Sequence, residues 1–301
     1  MVHTVVAGLD GSSESRAAAE WAAREAKLRG LPLKIVHVWE PVPEPMAQAP
    51  LLGAETQQHW SERIPREAAE RIRVRHPGVE VTTEQLVGGS ADTLVKAAAD
   101  AELLVLGSRG LSGFGGFMVG SVGLSVVAHL KRPVVLVRAG EQAADEHEPD
   151  PEGIPSAATP YRPVLLGLDA ANPDDSVIEF AFEAAAHRET GLRAIHGWNL
   201  PPYYIYGLSA DLQLHDEIAR QQAAVLAEAL RPWRRKYPSV EVTEETPSGS
   251  PGIRLVDASH EASLVVVGRR IRRSPLGAHV GPVTHAVLHH ATAPVAVVAH
   301  N

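Results

Sequence analysis

The chain has 301 residues, 45% of them hydrophobic and 21% charged, a balance that excludes a disordered protein and leaves room for two compact domains. A net charge of -8 argues against nucleic acid as a partner, and zero cysteines exclude disulfides, thiolate metal sites and cysteine nucleophiles. No apolar run approaches the length of a membrane span, and the opening MVHTVVAGLDGSS has no charged flank followed by a hydrophobic signal segment. A cytoplasmic protein with no membrane partner is expected.

In chain order, the strand TVVAGL runs into DGSSES, whose serines are suited to cap the next helix. That helix carries Ala18, Ala22 and Ala26 in one row, flanked by Trp21 and Leu28, with Gly30 as its stop. A second strand covers Leu33 to Val38. A Pro-rich loop follows, then a polar helix expected to break at Pro65. Next come a strand from Val79, a helix from Ser90 to Ala99, a strand from Leu103 to Leu106, a glycine-rich stretch, a helix from Gly120 to Leu130 and a last strand, Val134 to Val137. Short, continuous apolar strands joined by helices predict a parallel sheet covered on both faces.

The second half repeats the first. Val79 to Val137 lies over Val240 to Val298 without a gap: VEVT recurs, ELLVLGSR answers SLVVVGRR, and RPVVLV answers APVAVV. GLD at Gly8 to Asp10 returns at Gly167 to Asp169, and His37 with Trp39 is mirrored by His196 with Trp198. The chain therefore reads as two tandem doubly wound α/β domains, residues 1–139 and 162–301. Each is a five-stranded parallel sheet, taken in the order 3-2-1-4-5. Residues 140–161, acidic and Pro-containing, have the composition of a solvated linker.

With that order, ligands bind at the crevice between the first and fourth strands. The loops meeting there are DGSS and GSRGLSGFGGFMVGS, the latter with six glycines. It enters a helix at Gly120 and Ser121, so free amides and the positive helix end face an anion, and glycines let the backbone approach phosphate oxygens. Generic nucleotide motifs do not fit. Ser121 stands where a P-loop needs lysine, and Met118 where a dinucleotide fingerprint needs glycine. On these grounds the stretch is a phosphate or nucleotide site of unnamed ligand, or a glycine loop without one.

Gly107-x-x-Gly110, nine residues, then Gly120-Ser121 resembles the G-2x-G-9x-G-[S/T] signature of the ATP-binding universal stress proteins, and the likeness extends over both halves. The resemblance implies a cytoplasmic stress or regulatory protein that binds ATP or a related adenine nucleotide, with Mg²⁺, and whose occupancy sets conformation or association with an unknown protein partner. It implies that Asp10, preceded by Gly8, approaches the phosphates or the metal ion, a role compatible with initiating the helix. Val38 contacts adenine through its backbone, Gly107 and Gly110 shape the turn around ribose and phosphates, and Gly120, Ser121 and the Val122 amide hold the phosphates. Arg109 adds charge or faces solvent. The family's last strand mediates dimerisation, which points to self-association through 134–137 and 295–298, within the chain or as a homodimer.

The second copy departs from this pattern. Gly167, Asp169, Gly268 and Gly281 keep their register, but Ile271 replaces the second glycine and Pro282 the serine, removing an amide and a hydroxyl from the anion site. Arg269, Arg270, Arg272 and Arg273 form a run that reads as a solvated face or an attractor of anions. His285 and His289 are spaced for a metal pair, with no third ligand evident. His37 and His196 are expected to pack. No residue is assigned a catalytic role. A slow ATPase and a nucleotide-independent interaction module stand as the rival readings.

Overall fold

The computed structural model describes residues 3–40, 54–108, 120–199, 212–271 and 280–301. They fall into two compact units divided between Gln142 and Ala143.

In the first unit, β1 (Val5–Gly8) leads to α1 (Ser13–Arg29), β2 (Leu33–Trp39), α2 (Ala54–Arg75), β3 (Val81–Val87), α3 (Ser90–Ala97), β4 (Leu103–Ser108), α4 (Ser121–His129) and β5 (Val134–Arg138). All strand pairs are parallel and the order is β3-β2-β1-β4-β5, as the alternation predicts. β1 and β5 are apolar and buried over Val5–Gly8 and Val134–Val137, the pattern of strands covered on both faces. Helices α1 and α2 meet on one face of the sheet, α3 and α4 on the other.

Local chemistry explains α1. The Ser12 hydroxyl accepts from the Ser15 amide, Glu14 sits in the first turn, Lys27 and Arg29 in the last, and Gly30 ends the helix at φ 64. Its buried face is largely alanine, which lets the helix lie close on the sheet. The expected break at Pro65 does not occur, since α2 runs through it. Pro65, Ala68, Ala69 and Ile72 are all buried, with the i, i+3, i+4, i+7 spacing of one face. Tertiary packing of that face outweighs the lost main-chain hydrogen bond. β4 extends through Ser108, whose hydroxyl donates to Val137 O at 3.3 Å.

The second unit repeats the plan with β6 (Val164–Gly167), α5 (Asp175–His187), β7 (Leu192–Ile195), α6 (Leu212–Lys236), β8 (Val242–Glu245), α7 (Pro251–Ala258), β9 (Leu264–Arg270), α8 (Pro282–His290) and β10 (Val295–His300). Its parallel order is β8-β7-β6-β9-β10. Arg269 corrects the reading of the arginine run: it is buried, and desolvation holds its pKa below the usual guanidinium value, while Arg270 is exposed. Arg272 and Arg273 lie outside the described residues.

The segment 143–161 is more ordered than its composition implies. It begins with a short 3-10 turn, Ala143–Glu146, and is pinned to the second unit. Glu146 and Arg188, both buried, approach to 3.7 Å. The His147 and Tyr161 rings meet at a tilt with centroids 3.9 Å apart, and Arg162 donates to His147 O and His260 O. The paired charges and rings are far apart in sequence, so no local apolar period announces the docking. Among the described residues no helix is long and apolar enough to cross a membrane.

Candidate functional site

At the carboxyl end of the first sheet, β1 turns toward α1 and β4 lies beside it, opening the crevice of a topological switch point. The turn after β1 is built locally. Gly11, at φ 87, takes a conformation that costs a side chain dearly. Asp10 Oδ1 accepts from the Ser12 amide at 2.9 Å and the Ser12 hydroxyl at 2.5 Å, and Ser15 Oγ accepts from the Asp10 amide at 3.3 Å. Asp10 thus holds Ser12, the residue whose hydroxyl caps α1. His37 is buried, and its Nδ1 donates to Leu9 O at 2.7 Å, tying the end of β1 to β2.

The predicted residues Gly8, Asp10, Val38, Gly107, Gly120, Ser121 and Val122 line one cleft. Arg109 and Gly110 lie outside the described residues. The glycines have different reasons to be there. A Cβ on Gly8 would stand 2.5 Å from Leu106 Cδ2, and one on Gly107 would stand 2.5 Å from Glu14 C and 2.7 Å from Ser15 N. These two permit close packing, one toward each face of the sheet. A Cβ on Gly120 would meet no described residue within 4 Å, and its φ is -60°, so no described neighbour and no backbone strain demands glycine at that position.

Gly120 is the N-cap of α4 and offers no capping side chain. The amides of Ser121, Val122 and Gly123 therefore end the helix at the cleft, where a helix start favours an anion. Facing them are the carboxylates of Asp10 and Glu14. The Glu14 carboxyl is held below the usual carboxylate range, first by its main-chain amide and then by the Ser13 hydroxyl. On the other side stands Val38. Val36 O accepts from the Leu9 amide at 2.9 Å, the last tie between β2 and the β1 chain in the ladder register. Two residues on, strand alternation aims the polar groups of Val38 the same way, past the point where the partner strand has turned off.

Several lining residues were not singled out from sequence: Ser12, Glu14, Ser15, Val36, Ser90 and Leu94. Ser90 opens α3, and both its amide and its hydroxyl donate to Glu40 Oε1, at 2.8 and 2.9 Å. The serine after Gly88-Gly89 is the one sequence signal that marks this helix start.

In the second unit, Gly167 packs as Gly8 does, its Cβ position 2.6 Å from Leu255 Cδ1. Asp169 accepts from the Ala171 amide and Asn172 Nδ2. Gly281 caps α8 ahead of Pro282. A Cβ on Gly268 would stand 2.9 Å from His300 Nε2, whose Nδ1 is 3.6 Å from Asp174 Oδ2. His196 is buried with Nδ1 3.0 Å from Leu168 O and Nε2 3.0 Å from Gln222 Oε1. The His285 and His289 rings meet at a tilt with centroids 4.3 Å apart, and among the described residues no group of three or more His, Asp or Glu side chains is arranged to hold a metal ion.

Two stretches, residues 1–138 and 160–299, match the model of the universal stress protein family. A universal stress protein of Mycolicibacterium smegmatis is 32% identical over 304 residues, covering 98% of this chain and 96% of the relative. One from Mycobacterium tuberculosis is 33% identical over 312 residues, with the same coverage of each, 98% and 96%. The crystal structure of a universal stress protein from Archaeoglobus fulgidus superposes with a TM-score of 0.69 at 18% identity, covering 100% of both chains, which is a likeness of fold.

Proposed function

The chain belongs to the universal stress protein family, with two of its domains in tandem, and from that premise we propose that the first domain binds ATP with Mg²⁺ as a regulatory ligand. The observation that carries the reading is the uncapped α4 start at Gly120, across a cleft from Asp10 and Val38, with no described residue filling the space beside its Cα.

In this reading the phosphates lie on the amides of Ser121 and Val122, beside Gly120, with Gly107 and Gly110 shaping the turn around ribose and phosphates and Arg109 adding charge. Val38 supplies a main-chain donor and acceptor to the adenine edge, which carries a complementary amino donor and ring acceptor. Asp10 and Glu14 would repel a bare polyphosphate. A divalent ion coordinated chiefly by phosphate oxygens, with Asp10 beside it, relieves that repulsion, and hard cations accept such all-oxygen surroundings. The ion would contribute charge neutralisation; positioning falls to the chain's own amides and carboxylates.

Occupancy of the cleft then sets a conformation or association that an unknown cytoplasmic protein partner reads. Self-association through 134–137 and 295–298 belongs to the same reading, and solution mass across a wide concentration range tests it. For the nucleotide itself, freshly purified protein is denatured and the released ligand identified by mass with its ratio to chain. Adenine nucleotide lost on Gly120→Val supports the reading. Protein that neither carries adenine nucleotide nor gains thermal stability from added Mg-ATP overturns it.

A further inference from the structure

The two copies differ at the place where the reading above seats the base. In the first copy, Val38 and Ser90 both line the open cleft. The Glu40 carboxylate accepts from the Ser90 amide and hydroxyl, tying the end of β2 to the start of α3, whose N-cap Gly89 has no side chain for the task. Beside this tether a second hollow opens between the first turns of α3 and α4, lined by Glu40, Ala91 and Ser125 among others.

In the register that matches His37 and Trp39 to His196 and Trp198, Val38 becomes Gly197, and in the ungapped register from Val79 on, Ser90 becomes Pro251, Ala91 becomes Gly252 and Ser125 becomes Ala286. A Cβ on Gly197 would stand 2.8 Å from Cα, Cβ and Cγ of Pro251, so the proline that opens α7 lies directly on the β7 chain. A Cβ on Gly252 would stand 3.1 Å from Ala286 Cβ, so α7 and α8 also close on each other. Position 199, the counterpart of Glu40, is asparagine, and a proline at the first helical position needs no amide cap.

We infer that the base slot stands open in the first copy, where Glu40 tethers Ser90, and is closed from within in the second, where Gly197 packs on Pro251. The chain therefore takes one adenine nucleotide, and Glu40 is a positioning residue for it. This rests on the reading of the first copy as the nucleotide site, and the tests separate the two.

With the full chain, released nucleotide is expected at one equivalent, lost on Gly120→Val. Two equivalents overturn the inference and leave nucleotide binding standing; one equivalent retained in Gly120→Val overturns both. Closure is tested without any ligand by Gly197→Val, which is expected to lower the melting temperature by about 5 °C. An unchanged melting curve overturns the closed slot even if the chain never binds nucleotide. For the tether, Glu40→Ala and Ser90→Ala are expected to weaken adenine nucleotide about fivefold, the worth of a lost cap. Inorganic tripolyphosphate with Mg²⁺, which has no base, is expected to bind these variants unchanged, and Glu40→Gln, keeping an acceptor, to recover most of the affinity. An equal loss for tripolyphosphate, or no loss for either, overturns the role of Glu40.

Discussion

Placing one methyl group on Gly107 tests the packing that shapes the cleft. Its carbon would stand 2.5 Å from Glu14 C and 2.7 Å from Ser15 N, where unstrained carbons rest about 3.5–4.0 Å apart. The first turn of α1 would have to retreat by roughly 1 Å. It is poorly free to do so: Ser12 Oγ accepts from the Ser15 amide at 3.1 Å, and Asp10 Oδ1 from the Ser12 amide at 2.9 Å. Forced shifts of packed structure cost about 1–3 kcal/mol. At ~2–4 °C per kcal/mol, Gly107→Ala should lower the melting transition of the first unit by about 2–12 °C. Scanning calorimetry reads the shift, and guanidinium unfolding with an unchanged slope assigns it to the native state. Gly120→Ala is the matched control, having no described residue within 4 Å of its Cβ position. A Gly107→Ala protein that melts with the parent would refute the close approach of β4 to α1.

The glycine at the start of α4 should behave in the opposite way: Gly120→Val is expected to cost less than about 1 kcal/mol of stability while weakening nucleotide more than about tenfold, read by calorimetry and titration on one preparation. Equal losses in both would mean that the residue serves the fold. In the second unit, Arg188→Ala removes the buried cation that the Glu146 carboxylate approaches and should cost about 3–5 kcal/mol, whereas Arg188→Met with Glu146→Gln should cost far less; melting curves and protease cleavage within 143–161 report both. The Glu40 carboxyl is held below its ordinary value of 4.5, first by the Ser90 amide and then by the Ser90 hydroxyl. A lowered folded pKa means that the tether is complete above that value and is lost as pH falls through the depressed one. The Ser90 amide resonance should thus hold steady from neutral pH and titrate only below 4.5, with the step absent in Glu40→Ala; an inflection at or above 4.5 contradicts the bond.

Much of this protein is written in neighbouring residues. Apolar runs such as VVAG and VVLV announce strands, serine and glycine mark the ends of α1, the repeat follows from matching letters, and the glycine spacing before Ser121 points to the cleft. These signals are local because helix, strand and cap are set by residues a few positions apart. Other features depend on groups 42 to 93 residues apart, brought together by the strand order. They include Gly107 lying on the backbone of Glu14, Glu40 reaching Ser90, Gly197 meeting Pro251 and Glu146 finding Arg188. A glycine that admits a neighbouring helix and a glycine with no described neighbour at its Cβ position are the same letter. Only tertiary packing, which among the described residues fills the space beside Gly107 and not that beside Gly120, distinguishes them.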